Sequence, residues 1–307
     1  MKNAMLKIFR KILGTELIRE KQKIHWEKLQ YLQGMLLAQG NILQYSMLGL
    51  ERVKTTFAYK HCLEIVSLLS PMDVKGGKYL RIGRNYDGGY VMLDNFQQKK
   101  FDAAYSFGIY DDISWDEAIG EWGTDIFMYD PSIDQLPKNH PKFHFFKKGL
   151  TGFKKMDGFK TLGEFIADNK HSSCKNMIMK MDVEGCEWDV FKEIKPDTLN
   201  QFAQFVVEFH DLSSAVYNPK FSIVVDVLKK INQTHQIVHV HGNNCAAPLW
   251  IGDLVLPSSL EVTYVRRSDA ENTFIPNSRQ FPTEIDQPNF ESWPDIFLGE
   301  FSPKGKI

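Results

Sequence analysis

The stretch Met177-Ile178-Met179-Lys180-Met181-Asp182-Val183-Glu184-Gly185-Cys186-Glu187-Trp188 constrains the fold of this chain more than any other. An apolar run of strand length, Met177 to Met181, passes into the start of a helix, and two carboxylates stand at the junction. Continuous apolar strands are those buried on both faces, as in parallel sheets covered by helices. In open sheets of that kind ligands bind beyond the carboxyl ends of the strands, so Asp182 and Glu184 are expected to face that crevice. Two earlier runs end in a related way: Ala103-Ala104-Tyr105-Ser106-Phe107-Gly108 on glycine, and Ile126-Phe127-Met128-Tyr129-Asp130 on an acid. A glycine end followed by two acidic ends is the order expected of a nucleoside-binding α/β domain, and of an enzyme.

The rest of the chain supports that architecture. From residue 101 onward, strands expected at 103–108, 125–130, 143–147, 177–182, 205–210, 236–241 and 261–265 alternate with helices at 115–121, 161–169, 186–194 and 220–232. The alternation predicts an α/β fold with a Rossmann-like, doubly wound and mostly parallel sheet. The interval 242–260 is too irregular for a helical crossover. A hairpin connection there would place one antiparallel strand near the C-terminus. Upstream, 79–83 and 90–93 look like short strands around the turn-rich Asn85-Tyr86-Asp87-Gly88-Gly89.

Residues 1–70 carry helical spacing, with Leu29, Leu32 and Leu36 beside Trp26, Gly40 as a stop, and Ser70-Pro71 closing the region. The chain therefore divides into an N-terminal helical extension, 1–77, and a catalytic domain, 78–307. After residue 270, Pro276, Pro282, Pro288 and Pro294 favour loop.

Composition narrows the function classes. In 307 residues, 37 basic groups nearly balance 38 acidic ones, so no nucleic-acid footprint is expected. Four scattered cysteines, Cys62, Cys174, Cys186 and Cys245, form no CxxC pair, which fits a reducing cytoplasm better than a disulfide framework or a structural zinc site. The segment Met5 to Leu13 is interrupted by Lys7, Arg10 and Lys11 and is too short and charged for a membrane span. The N-terminal stripe suits packing or oligomerisation, most simply a two-fold homodimer.

Several residues bear chemistry. Gly108 permits close backbone approach to a ligand or a tight turn. Asp130 can accept ribose hydroxyls, or start a turn through Asp130-Pro131-Ser132. Asp182 and Glu184 can converge at a strand-to-helix bend, although Glu184 also suits a helix N-terminus. The next strand ends Glu208-Phe209-His210, with Glu208 and His210 on one face, and His239 and His241 share a face of the following one.

Taken together, the architecture resembles the class I S-adenosylmethionine-dependent methyltransferases. Within them the chain resembles the FkbM-type group through Lys180-Met181-Asp182-Val183-Glu184-Gly185-Cys186-Glu187. Ser106 to Trp115, Asp130-Pro131 and Arg81-Ile82-Gly83 with Asp87-Gly88-Gly89-Tyr90-Val91 resemble one bacterial branch of that group. The usual GxGxG loop is absent and only Gly108 remains, so the backbone from Asp111 to Ser114 is expected to cradle the methionine part. The resemblance implies S-adenosylmethionine held by Phe107, Gly108, Asp112, Ile113, Ser114, Asp130, Met181 and Asp182. The carboxylates and histidines at adjacent strand ends make Asp182, Glu184, His210 and His241 the candidate catalytic groups.

Methyl transfer to a hydroxyl needs orientation together with a base, for which His210 or His241 tuned near neutrality would serve, or a cation that acidifies the hydroxyl. A divalent metal would fall to Asp182, Glu208 and His210. The leading expectation is an O-methyltransferase acting on a sugar, glycan-linked or small-molecule hydroxyl, since FkbM-type relatives modify sugars or polyketides; a variant of it acts on a phosphoryl-type oxygen of a surface polysaccharide. A nicotinamide oxidoreductase is disfavoured because no GxGxxG follows the first strand. A non-catalytic binding protein is the third class.

Overall fold

Seven strands form the central sheet of the computed structural model, which describes residues 49–303 apart from 97–98, 153–156, 218 and 270. They are β1 (Ala104–Phe107), β2 (Ile126–Tyr129), β3 (Phe143–Phe146), β4 (Met177–Met181), β5 (Phe202–Phe209), β6 (His235–Asn243) and β7 (Ser259–Arg266). Their order across the sheet is β3-β2-β1-β4-β5-β7-β6. Strands β1 to β5 pair in parallel, whereas β7 runs antiparallel to both β5 and β6. The chain winds outward from β1 to β3 and then restarts at β4 on the other side of β1. The carboxyl ends of β1 and β4 therefore flank the switch point, where such sheets open a crevice.

Every residue of β1, β4 and β5 is buried, so helices and loops cover both faces. One face packs against α1 (Phe57–Leu69), α3 (Leu162–Asp168), α4 (Glu187–Glu193) and α5 (Lys220–Thr234). Each forms for a local reason. Thr56 accepts a hydrogen bond from the Tyr59 amide at the start of α1, and α1 stops at Ser70 before Pro71. A reciprocal pair between Thr161 and Glu164 caps α3. Val224, Val227, Leu228 and Ile231 form the buried stripe of α5. The other face is covered by the antiparallel pair Tyr79–Ile82 and Tyr90–Leu93 and by α2 (Ser114–Glu121). There Met92, Trp115 and Ile119 meet Ile126, Ile178 and Val206.

Two regions are more ordered than the sequence suggests. Within 242–260, Leu249–Ile251 and Leu254–Leu256 pair as a hairpin about Gly252-Asp253, with Gly252 at φ +63°. After residue 270, Phe274–Pro276 pairs antiparallel with Met72–Val74, and Arg279 Nε donates to Asp73 at 2.7 Å. Helix α1 packs on α5, and Cys62, Ile65 and Leu69 enter the same core as Phe205 and Val207. Residues on both sides of position 78 thus contribute to one core. The stripe at Trp26, Leu29, Leu32 and Leu36, with the dimer expected of it, lies outside the described residues. Among the described residues no helix is long and apolar enough to cross a membrane.

If α1 belongs to this core, Ile65→Ala should lower the unfolding free energy of the whole domain by about 2–5 kcal/mol. Urea denaturation followed at the tryptophans tests this, and an unchanged midpoint would mean that α1 is an independent appendage.

Candidate active site

Gly108 follows β1 with φ +77°, a conformation in which side chains are strained. A Cβ at this position would lie 1.7 Å from the carbonyl oxygen of Asp182. The chain's own strand-end contact therefore requires glycine here, before any ligand is considered. The Gly108 amide donates to Tyr129 O at 3.2 Å and the Asp182 amide to Phe107 O at 3.0 Å. The ends of β1, β2 and β4 are thereby joined at one point.

Two side chains, Asp130 and Lys180, fix the turn after Gly108. Asp130 Oδ2 accepts the amides of Ile109 and Tyr110, each at 2.8 Å. Its Oδ1 accepts the Ser132 amide at 2.7 Å and the Ser132 hydroxyl at 2.6 Å. A carboxylate offers about four lone-pair sites, so Asp130 is fully engaged as a loop clamp. Burial pushes its pKa up, but these donors outweigh that and hold it below the usual carboxylate range. Lys180 is buried in the middle of the apolar β4, where its Nζ donates to Gly108 O at 2.6 Å and lies 5.7 Å from the Tyr90 ring centroid.

A cleft of about 350 Å³ opens at these strand ends. Gly108, Asp112, Asp130, Asp182 and Glu184 line it, together with Arg84, Tyr110 and Lys180. Phe107 and Met181 do not line it, because strand alternation turns both side chains into the helix-covered core. Ile113 is likewise buried, beneath the cleft. Ser114 accepts the Arg84 amide at 2.6 Å and donates to Asp112 Oδ2 at 3.0 Å, so it braces the wall from behind.

At one end of the cleft Asp182 stands beside His210 and Glu208. Asp182 Oδ1 has no hydrogen-bond partner among the described residues. Burial raises the Asp182 pKa to about 6, against the pull of Lys180 and His210. Glu208 is buried, accepts Asn243 Nδ2 at 2.7 Å, and is pushed well up by burial and by Asp182. His210 Nε2 lies 3.6 Å from Glu208, 3.7 Å from Glu184 and 4.0 Å from Asp182. Its Nδ1 lies 3.1 Å from Glu187 Oε1. Burial alone would lower the His210 pKa, but the Glu187 hydrogen bond and the surrounding carboxylates raise it to about 10. These acids favour a proton on the ring, which a cation bound at Nε2 would displace. Ligand atoms of Asp182, Glu208 and His210 all lie within 4.8 Å of one another.

His241 is not part of this group. Its Nδ1 meets Glu261 at 3.0 Å and its Nε2 meets Asp295 at 3.1 Å, with the residue 1% exposed. Burial lowers its pKa, but the two acids reverse this and raise it to about 10. Both ring nitrogens are committed to these acids. His239 is held by Asp286 at 2.9 Å and is also buried. Asp286 and Asp295 come from the proline-rich C-terminal stretch, which residue patterning alone does not place.

Lys180, Glu187, Tyr90 and Tyr110 are site residues that sequence patterning does not single out. Lys180 carries a usable signal, since a charge inside an apolar strand must find a partner. Tyr110, exposed in the cleft wall at φ +47°, carries none.

The histidine geometry has a pH consequence. In the unfolded chain His241 titrates near about 6.5. Because its folded pKa is raised to about 10, its contribution to stability is fully present below the unfolded value and is lost as pH climbs through the folded one. Chemical denaturation should therefore show stability falling between about pH 6.5 and 10. His241→Gln should flatten that slope, and a variant with the wild-type slope would contradict the assignment.

A family model described as a methyltransferase domain matches residues 70–251. No curated protein matches the chain. Similar solved structures include a protein described as a hemolysin from Streptococcus thermophilus, 8% identical with a TM-score of 0.33 over 56% of this chain and 62% of that one. Another, described as a methyltransferase from an antibiotic biosynthesis pathway of Anabaena variabilis, is 10% identical with a TM-score of 0.28 over 48% of this chain and 62% of that one. A variant of the 16S rRNA (adenine(1408)-N(1))-methyltransferase from Catenulisporales acidiphilia is 10% identical with a TM-score of 0.30 over 66% of this chain and all of that one. These likenesses are too distant to bear on acceptor or mechanism.

Proposed function

Since the chain belongs to the methyltransferase-domain family and is an S-adenosylmethionine-dependent methyltransferase, we propose that its acceptor is a hydroxyl oxygen, of the kind modified by the FkbM-type group. The observation that carries this reading is the cluster of Asp182, Glu208 and His210, of which Asp182 lines the cleft. An amine can attack a methyl group as a neutral nucleophile, whereas a hydroxyl gains most from a group that acidifies it. The cluster suits a divalent cation in that role. Ligand atoms around a hard cation at about 2.1–2.4 Å lie roughly 3.0–4.8 Å apart, and His210 Nε2 stands 3.6 Å from Glu208 and 4.0 Å from Asp182. The unpartnered Asp182 Oδ1 fits the same role.

The cofactor supplies an electrophilic methyl group on a sulfonium when bound. The chain's residues account for the remainder. The turn after Gly108, fixed by Asp130 and Lys180, forms the wall from Ile109 to Asp112. A ribose reaching Asp130 would have to displace one of its four donors. Asp87, Asp111, Asp112, Asp130, Asp182 and Glu184 outnumber Arg84 and Lys180 along the cleft, which favours a positively charged ligand. The FkbM-like segment Lys180 to Glu187 supports a sugar, glycan-linked or small-molecule hydroxyl, and the scattered cysteines support a reducing cytoplasm as the compartment.

The test is transfer of a labelled methyl group from S-adenosylmethionine to a panel of hydroxyl and amine acceptors, with and without EDTA. Chelation should abolish transfer to a hydroxyl and added Mg²⁺ should restore it, while S-adenosylhomocysteine affinity stays constant in calorimetry. Transfer confined to amines, or indifferent to chelation, would contradict the proposal.

A further inference from the structure

Glu187 occupies the first position of α4, where an acidic side chain would ordinarily be read as favourable to the helix dipole. Its surroundings say more. The side chain is fully buried, and its Oε1 accepts the Val183 amide at 3.0 Å and the Gly185 amide at 3.2 Å while facing His210 Nδ1 at 3.1 Å. One oxygen therefore ties the bend that carries Asp182 and Glu184 to the imidazole opposite. The next residue holds the other end of the same histidine: Trp188 Nε1 donates to His210 O at 2.7 Å, with the indole stacked on Phe209 at 4.4 Å. The bend itself is unusual, with Glu184 at φ +55° and Gly185 at φ +99°. Such backbone persists only where its surroundings hold it.

We propose that Glu187 is a positioning residue that acts through His210. Its carboxylate keeps Nδ1 protonated and fixes the ring plane, so that Nε2 is turned toward Asp182 and Glu208. This rests on the reading of Asp182, Glu208 and His210 as a working cluster, and it adds the residue that orients it. A histidine that binds a metal through one nitrogen commonly gives its other N–H to a carboxylate, which sets both tautomer and orientation. Glu187 stands where that carboxylate belongs, and it does not line the cleft.

Two measurements on the full chain test this. In the first, Mn²⁺ is titrated into wild type, His210→Gln and Glu187→Gln, followed by electron paramagnetic resonance. Wild type should bind, His210→Gln should not, and Glu187→Gln should bind about 10–100-fold more weakly. Because a glutamine oxygen can still accept the Val183 and Gly185 amides, the S-adenosylhomocysteine affinity of Glu187→Gln should stay at its wild-type value, which loss of the bend would not allow. In the second, ring ¹⁵N spectra of histidine-labelled protein, assigned by His210→Gln, should show Nδ1 protonated in wild type and shifted in Glu187→Gln. Should that variant not fold, Glu187→Asp takes its place with the same readings. Wild-type Mn²⁺ affinity together with an unmoved ring signal, or an unprotonated Nδ1 in wild type, would overturn the proposal. If wild type binds no Mn²⁺, the cation in the proposed function falls, and the ring spectrum alone decides the role of Glu187.

Discussion

The contact between Gly108 and the carbonyl of Asp182 organises the rest of the site. No other residue type fits, since a Cβ would overlap the Asp182 oxygen. Because the glycine lets β1 and β4 close to this distance, the Gly108 carbonyl comes within reach of Lys180, and the following amides come within reach of Asp130. Each clamp depends on the others. Without Lys180 the Gly108 carbonyl would lose its side-chain donor, and without Asp130 the amides of Ile109 and Tyr110 would lose their acceptor. The cleft is rigid on this side because its wall is built from satisfied backbone.

Charge explains the other side. Lys180 is a buried cation, and Asp116, also buried, faces it from α2 with a pKa raised to about 6 by burial and partly restored by Lys180. Beyond Asp182, a row of buried acids runs across the sheet, with Glu208 paired in register to Glu261 and Glu261 to His241. His241 neutralises the far end of that row through Glu261 and Asp295. At the near end His210 faces Asp182, Glu184, Glu187 and Glu208. The two histidines therefore differ in use although both carry raised pKa values. One completes a closed internal network, and the other stands at the cleft.

Much of this was legible in the sequence because local pattern and final structure agree. The runs around Tyr105, Met128, Ile178 and Val207 are continuous and apolar, and each became a doubly covered strand. Asp182, Glu208 and His210 fall together because they end neighbouring strands, which strand order alone dictates. What stayed hidden depends on distant pairing. The requirement for Gly108 comes from the carbonyl of Asp182, on a strand far along the chain. The commitment of Asp130 comes from amides of the preceding strand's loop, and that of His241 from Asp295 in a segment with no periodic signal. The hairpin at 249–256 is different, since Gly252-Asp253 between two apolar triplets is a turn signal that can be read locally.

We propose that the joined ends of β1, β2 and β4 build the cofactor cleft. A crystal structure of the protein with S-adenosylhomocysteine tests it most directly. The ligand should lie against Gly108, Asp112 and Asp182, with the Lys180 to Gly108 hydrogen bond intact. Density for the ligand elsewhere, with this cleft empty at saturating concentration, would contradict it.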